Sequence, residues 1–276
     1  MPTEKKENVL KVIVISLAFP LLYEILLIVV PIVSMFFYKY VLGTTEETWN
    51  SAKEIVTALA SLAVFLLITF IIFKARHKSL LKRIRWNPAP QKSVYVFVAL
   101  LGVAVQFINF EYLLPQSLMA GANNMVGSLG SQGLIVEIIV FGVIAPIGEE
   151  IIFRGLMMGR LKGHVASWLA VAFPALIFVL VHMGASVANA IGIIPTAVSL
   201  GLVFLWTNSI RAGMLVHIIN NTIAFLLSSF LNNISNTLGL ILIVPALLVA
   251  VLMLVMIYRR KQKGEPEIGA AKDYSA

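Results

Sequence analysis

Residues 133–158, GLIVEIIVFGVIAPIGEEIIFRGLMM, form an apolar run that is long enough to cross a bilayer and nevertheless contains charged residues. A transmembrane helix needs about 20 predominantly apolar residues. A charged side chain at the bilayer centre costs roughly 2.5–3.5 kcal/mol on insertion scales, whereas one Leu returns only about 0.3–0.6 kcal/mol. Glu149, Glu150 and Arg154 are therefore expected to face protein or a water-filled cavity rather than lipid.

The composition of the whole chain agrees with a membrane protein. Of 276 residues, 59% are hydrophobic and 12% are charged, and the mean hydropathy is +0.94. A soluble domain has about 25% charged residues. We therefore expect an all-α polytopic protein, with one membrane domain over residues 1–276. The chain has no Cys, which excludes disulfides, a thiolate nucleophile and Cys-ligated metal.

Hydropathy predicts about eight transmembrane helices. The spans are residues 10–38, 54–74, 93–114, 133–158, 166–187, 191–208, 211–231 and 238–258. Alternate sides of this arrangement carry 19 and 2 Lys and Arg residues, which predicts that both termini are cytoplasmic. The tail 259–276 is then a basic cytoplasmic segment. Because the net charge of +8 lies in loops, it indicates orientation rather than nucleic-acid binding.

The charged residues of the fourth span predict a particular geometry. Glu150 and Arg154 are four residues apart, so they share a helical face and suit an ion pair. The adjacent Glu149 projects about 100° away and is left freer for chemistry. In the alternative interpretation, Arg154 is an ordinary positive-inside residue and the glutamates are its counter-ions.

Two of the four histidines, His182 and His217, lie within apolar spans. A single membrane histidine is usually a packing residue, but these two accompany a pair of glutamates. His217 and Asn221 are four residues apart and point the same way. A carboxylate, two imidazoles and an amide can activate water and stabilise an oxyanion. Straight helices would place His217 roughly 9 Å and His182 roughly 24 Å from the cytoplasmic boundary, unless the deep part of the fifth span begins at Pro174.

Three ordered motifs carry a family resemblance: EExxxR at Glu149–Arg154, FxxxH at Phe178–His182 and HxxxN at His217–Asn221. The sequence resembles the CPBP family, also called Abi. That family comprises the type II CAAX prenyl endopeptidases together with similar prokaryotic membrane proteases and bacteriocin-immunity proteins. The motif-bearing core is residues 133–231, whereas the N-terminal half matches only in hydropathy.

The resemblance implies an intramembrane endopeptidase. Glu149 would act as general base on water, which His182 would position and polarise. His217 and Asn221 would stabilise the oxyanion. The site would be supported by the other motif residues, Glu150, Arg154 and Phe178. Phe178 would pack against an imidazole.

The cofactor and partners follow from the same resemblance. Members of the family are often called metalloproteases, and a zinc ion would be held by Glu149, His182 and His217. We nevertheless expect a metal-free site, because these ligands lack the spacing that places two histidines on one helical face. The expected substrate is a hydrophobic peptide or membrane protein in the lipid bilayer. The expected location is a prokaryotic plasma membrane.

Two other functions remain open from the sequence. The first is a non-catalytic immunity or scaffold protein that binds a bacteriocin or partner helices, although the complete motif set argues against it. The second is a transporter that uses Glu24, Glu111 and Glu137 with the helix 4 cluster as a proton path. The absence of a convincing internal repeat argues against transport.

Overall fold

The part of the protein that the structure describes is almost entirely helical. The structure, a computed structural model, describes residues 8–40, 50–86, 90–108, 134–135, 138–183, 187–230 and 236–262. The alternative proton-path residues Glu111 and Glu137 lie outside the described residues. Within the described ranges, β-type pairing is limited to one isolated bridge between Lys162 and Val165.

The helices are numbered here in chain order. Those before the motif region are α1 (Val9–Tyr40), α2 (Asn50–Ala75), α3 (Leu80–Arg83) and α4 (Lys92–Gln106). Those after it are α6 (Ser167–Val181), α7 (Val187–Gly192), α8 (Ile194–Thr207), α9 (Ile210–Phe230) and α10 (Asn236–Gln262).

Between these sets lies α5, residues 138–161, which changes its hydrogen-bond register along its length. It is π-helical over Ile138–Ile144, α-helical over Ala145–Glu149, π-helical over Glu150–Met158 and α-helical over Gly159–Leu161. The proline at position 146 has no N–H to donate and is one cause of the irregular register. Hydropathy alone predicts a regular membrane-spanning helix here. It does not distinguish α-helical from π-helical hydrogen bonding.

α5 is the centre of the packing. α1 packs against α2 and against Glu150–Met158 of α5, while α9 packs against α4 and α5. Gly155 makes close approach possible, because a Cβ at that position would lie 2.8 Å from Ile84 Cβ. A buried cluster joins α1, α2, α5, α6 and α8, and a second joins α4, α8, α9 and α10.

Helix length and composition support a polytopic membrane protein. Among the described residues, four helices are long and apolar enough to cross a bilayer: Val9–Phe37, Ala190–Thr207, Ile210–Leu227 and Ile241–Lys261. Shorter apolar helices are Leu59–Ala75, Lys92–Gln106 and Ser167–Val181. Large apolar side chains on α1 and α10 point outward, as a lipid-facing surface requires. The count of eight spans and the inward termini stay predictions.

The loops predicted to be cytoplasmic meet at one end of the bundle. The Ile210 backbone N–H donates to the Arg85 carbonyl at 3.3 Å, which joins the basic loop after α2 to the start of α9. Lys162 Nζ donates to Asn208 Oδ1 at 3.0 Å, which joins the loop after α5 to the loop before α9. These loops therefore share a side, as the charge distribution predicts.

Candidate active site

Glu149 lies where α5 changes register. It is the last residue of the short α-helical segment Ala145–Glu149, and π-helical segments precede and follow that segment. π-helical turns are rare and often occur at functional sites. The Glu149 side chain is 16% exposed. It is therefore within reach of a small reactant while remaining largely shielded.

Glu150 and Arg154 form the ion pair that their spacing predicts. Arg154 Nη1 donates to Glu150 Oε1 at 2.8 Å, and the two side chains are 0% and 1% exposed. Arg154 Nη2 donates to the carbonyl of Ala197 on α8 at 3.1 Å. A buried charge needs a partner and further hydrogen bonds to offset its lost hydration. This pair holds α5 against α8 behind Glu149.

His217, on α9, connects the two glutamates. Its Nδ1 lies 3.2 Å from Glu150 Oε1, and its Nε2 lies 3.6 Å from Glu149 Oε2. Because Glu150 is paired with Arg154 and accepts hydrogen bonds, the network assigns the proton to Nδ1. His217 therefore turns its Nε2 toward Glu149.

His182 approaches the other oxygen of the same carboxylate. It follows the last residue of α6, and its Nδ1 donates to the Phe178 carbonyl at 2.7 Å. Its Nε2 is 3.9 Å from Glu149 Oε1, and its side chain is 36% exposed. Both histidines thus carry a proton on Nδ1 and present Nε2 to Glu149.

The straight-helix estimate that kept the histidines apart is wrong, because both meet at Glu149. His182 stands far along α6 and His217 stands near the beginning of α9, so the two helices must begin at different depths or be tilted. α6 runs through Pro174 as one helix, and Trp168 in its first turn is 68% exposed. A new helix at Pro174 is not needed.

Phe178 is the aromatic centre of the cluster. Its ring centroid lies 4.4 Å from that of His182 and 5.8 Å from that of His217. The guanidinium carbon of Arg154 lies 4.9 Å from the same ring centroid, in cation–π range. Phe178 is 2% exposed. It therefore packs against both imidazoles, as expected of a residue that orients them.

Asn221 has hydrogen bonds outside the glutamate–histidine cluster. Its Nδ2 donates to the Phe141 carbonyl at 3.1 Å, and its Oδ1 accepts from Asn220 Nδ2 at 3.2 Å. In a π-helix the carbonyl of residue 141 would accept from the N–H of residue 146, and Pro146 has none. Asn221 supplies the missing donor. Within the described ranges it makes no hydrogen bond to Glu149, His182 or His217.

Gly213 is a part of the site that the motifs did not reveal. A Cβ at this position would lie 2.5 Å from Glu150 Oε2, so a larger residue would have to displace the carboxylate that Arg154 and His217 hold. Gly213, His217 and Asn221 follow each other at intervals of four on α9, and this spacing is the signal that could have found it.

The donor types of Glu149, His182 and His217 suit zinc. However, among the residues that the structure describes, no group of three or more His, Asp or Glu side chains is arranged to hold a metal ion. As arranged here, these three side chains do not fit a zinc ion. None of the chemical steps proposed below therefore involves a metal.

Comparison with known proteins agrees with the motif analysis. Residues 131–223 match the family model described as type II CAAX prenyl endopeptidase Rce1-like. The match spans all three motifs and supports an intramembrane protease family of the CAAX-protease type, as the resemblance implies. No curated protein and no solved structure matches the chain.

Proposed function

Starting from the family match of residues 131–223, we propose that this protein is an intramembrane endopeptidase. It hydrolyses a peptide bond of a hydrophobic or membrane-associated peptide. One observation supports this most: each oxygen of the Glu149 carboxylate faces the Nε2 of a different histidine, at 3.9 and 3.6 Å. Those separations exceed a direct hydrogen bond, so the carboxylate and both ring nitrogens remain available to bind a water beside them.

The site residues differ in solvent exposure, and this difference supports different roles for them. His182 and Glu149 are 36% and 16% exposed, whereas Glu150, Arg154 and His217 are almost fully buried. The first two are open to water and substrate, whereas His217 reaches the site only through its Nε2, which faces Glu149. The buried three fix the position of the exposed two. This arrangement resembles a reactive pair with a third group orienting the base.

In the proposed reaction, Glu149 takes a proton from water as the water oxygen attacks the peptide carbonyl carbon. His182 Nε2 positions and polarises that water. The oxyanion that forms is stabilised by His217 in its doubly protonated form, which donates from Nδ1 to Glu150 and from Nε2 to the oxyanion, and by the Asn221 amide hydrogen that does not bond to Phe141. Collapse of the tetrahedral intermediate breaks the C–N bond, and the leaving nitrogen receives the proton that Glu149 took from water, which returns Glu149 to its carboxylate form.

The role of Glu150, Arg154 and Phe178 is to position the residues that react. Glu150 accepts from His217 Nδ1 and so directs Nε2 into the site. Arg154 pairs with Glu150 and joins it to α8. Phe178 fixes both imidazole planes by packing.

We propose further that the reaction needs no metal and takes place in a plasma membrane of a prokaryotic cell. A metal-free site predicts that dialysis against a zinc chelator leaves turnover unchanged and that elemental analysis of active protein finds no stoichiometric zinc. Loss of turnover on chelation, with recovery on adding zinc, would reverse the metal proposal.

A matched pair of histidine variants tests the proposed function. Purified protein in liposomes is given quenched-fluorescent peptides with an apolar core, and wild type is compared with His182→Asn and His77→Asn. His77 is exposed outside the site and has φ 53°, a conformation that Asn tolerates. We expect cleavage by wild type and His77→Asn and nearly none by His182→Asn. Equal cleavage by both variants would contradict the proposal.

A further inference from the structure

The chain between α2 and α4 is strongly basic and has no part in the proposed active site. Residues 74–86, KARHKSLLKRIRW, contain six Lys and Arg residues and one His, with no Asp or Glu. We call residues 74–86 the basic segment. It includes the end of α2 and the short helix α3. None of the residues in the proposed reaction lies in it, so its charge calls for a separate explanation.

The basic segment begins where one apolar helix ends and stops short of the next one. The apolar stretches of α2 and α4 run over Leu59–Ala75 and Lys92–Gln106. Apolar helices lie in the hydrocarbon region of a bilayer, and Lys and Arg collect at its polar boundary. The segment between these two helices is therefore placed at the depth of the lipid headgroups.

Two contacts hold the basic segment against the helix bundle. Ile84 is 3% exposed, and a Cβ on Gly155 of α5 would lie 2.8 Å from the Ile84 Cβ. The Arg85 carbonyl accepts from the backbone N–H of Ile210, at the start of α9, at 3.3 Å. The segment is therefore fixed against α5 and α9, and it presents its outer side chains in a set direction.

The outer side of the basic segment combines cations with large apolar side chains. Its exposed cations are Lys74, Arg76, Lys78 and Lys82. In the same segment, Leu81 is 52% exposed and Trp86 is 38% exposed. Trp favours the membrane–water interface, and Lys and Arg extend from apolar surface toward the headgroups. An anionic lipid surface matches both kinds of side chain, whereas an acidic protein matches the cations alone.

The carboxylates of the described residues lie elsewhere. Glu24 is near the middle of α1, and Glu54 is near the end of α2 that lies opposite the basic segment. Glu149 and Glu150 face the histidines of the proposed active site. Within the described ranges the bundle thus supplies no carboxylate at the surface of the basic segment. Charge complementarity points to an anion from outside the chain.

We propose that the basic segment is a binding surface for the headgroups of anionic phospholipids. The lipid phosphates face the exposed cations, while Leu81 and Trp86 lie among the upper parts of the acyl chains. The attraction to an anionic leaflet falls off within a Debye length, about 10 Å at 0.1 M salt, so cations held at headgroup depth gain most from it.

The test measures binding of pyrene-labelled phosphatidylglycerol and pyrene-labelled phosphatidylcholine to the full chain in mixed detergent micelles, by energy transfer from tryptophan. Wild type is compared with Lys78→Gln/Lys82→Gln, which keeps the Lys82 backbone N–H that donates to Ser79 Oγ at 3.4 Å. The control, Lys39→Gln/Lys53→Gln, removes the same charge at the opposite ends of α1 and α2. Thermal unfolding is recorded for all three proteins.

We expect wild type to reach half-saturation with phosphatidylglycerol at a mole fraction about 10-fold lower than with phosphatidylcholine. In about 1 M salt, where the Debye length is about 3 Å, most of that preference should disappear. Each Lys near an anionic surface is worth about fivefold in binding, so Lys78→Gln/Lys82→Gln should weaken phosphatidylglycerol binding by about 10-fold to 30-fold. The control should match wild type, and all three proteins should unfold at similar temperatures.

Lipid binding is measured without a peptide substrate, so its outcome is independent of the proposed function. Equal affinity of wild type for the two lipids would overturn the inference. Equal losses in the segment variant and the control would also overturn it, because the charge would then act regardless of its position. Tight binding of polyglutamate, with no preference between the two lipids, would assign the surface to an acidic protein instead.

Discussion

At the scale of single residues, charge inside an apolar span was the informative signal. The spacing of Glu150 and Arg154 predicted their ion pair, because residues four apart share a helical face. The contact of His217 with Glu150 could not be predicted in the same way. The two residues are far apart in the chain, and only the packing of α9 on α5 brings them together.

The buried pair gives the first prediction. Glu150→Leu or Arg154→Met alone strands a charge in the interior, so each should destabilise the protein by about 3–5 kcal/mol. The double variant removes both charges and should lose less stability than the sum of the single variants. Chemical denaturation in detergent measures these differences. Single variants as stable as wild type would show that the pair does not hold α5 against α8.

At the scale of elements, the irregular register of α5 is the feature that hydropathy could not predict. Apolar composition indicates a helix, but π and α registers differ in which backbone groups pair and not in composition. Pro146 was visible in the sequence as a missing donor. Its consequence, a Phe141 carbonyl that lacks a backbone donor and accepts from Asn221 instead, depends on the register and was therefore hidden.

The second prediction concerns Asn221 and Pro146. Asn221→Ala should lower turnover by about 10²–10³ through loss of an oxyanion donor. It should also lower stability by about 1–3 kcal/mol, because the Phe141 carbonyl loses its partner. Adding Pro146→Ala supplies a backbone N–H and should recover stability without recovering turnover. Both quantities are measured on the single and double variants, and joint recovery would show that Asn221 is structural only.

The third prediction concerns Gly213 of α9, which lies against the Glu150 carboxylate. Gly213→Ala places a methyl group against Glu150 Oε2, so it should displace that carboxylate and reduce turnover per folded molecule. Gly201→Ala is the matched control, because its Cβ would lie 2.8 Å from Val171 Cγ1, in a packing contact between α8 and α6. It should reduce stability while leaving turnover per folded molecule near wild type. Equal turnover per folded molecule in both variants would contradict the assignment of Gly213.

At the scale of the whole molecule, composition predicted a helical polytopic membrane protein, and the structure agrees. The structure also brings the loops predicted to be cytoplasmic to one end, through the contact between Ile210 and Arg85 and the contact between Lys162 and Asn208. Which side of the membrane that end faces depends on the distribution of Lys and Arg and on the bilayer. Helix packing alone does not contain that information.

The fourth prediction is the orientation in the membrane. The chain has no Cys, so single cysteines can be introduced without a background. Cysteine at Ser79 should react with an impermeant reagent only from the cytoplasmic side, and cysteine at Ser131 only from the outside. Intact cells and inverted vesicles are compared. The reverse pattern would mean that the whole arrangement is inverted.

The central claim is that Glu149 activates water to hydrolyse a peptide bond. The most direct measurement is cleavage of an apolar peptide in ¹⁸O-labelled water, followed by mass spectrometry of the products, for wild type and Glu149→Gln with thermal unfolding recorded for each. Gln keeps the shape of Glu but cannot accept the proton, so the folded variant should form no product. Wild type should place one heavy oxygen in the new carboxyl group. Labelled product from folded Glu149→Gln at the wild-type rate would contradict the account.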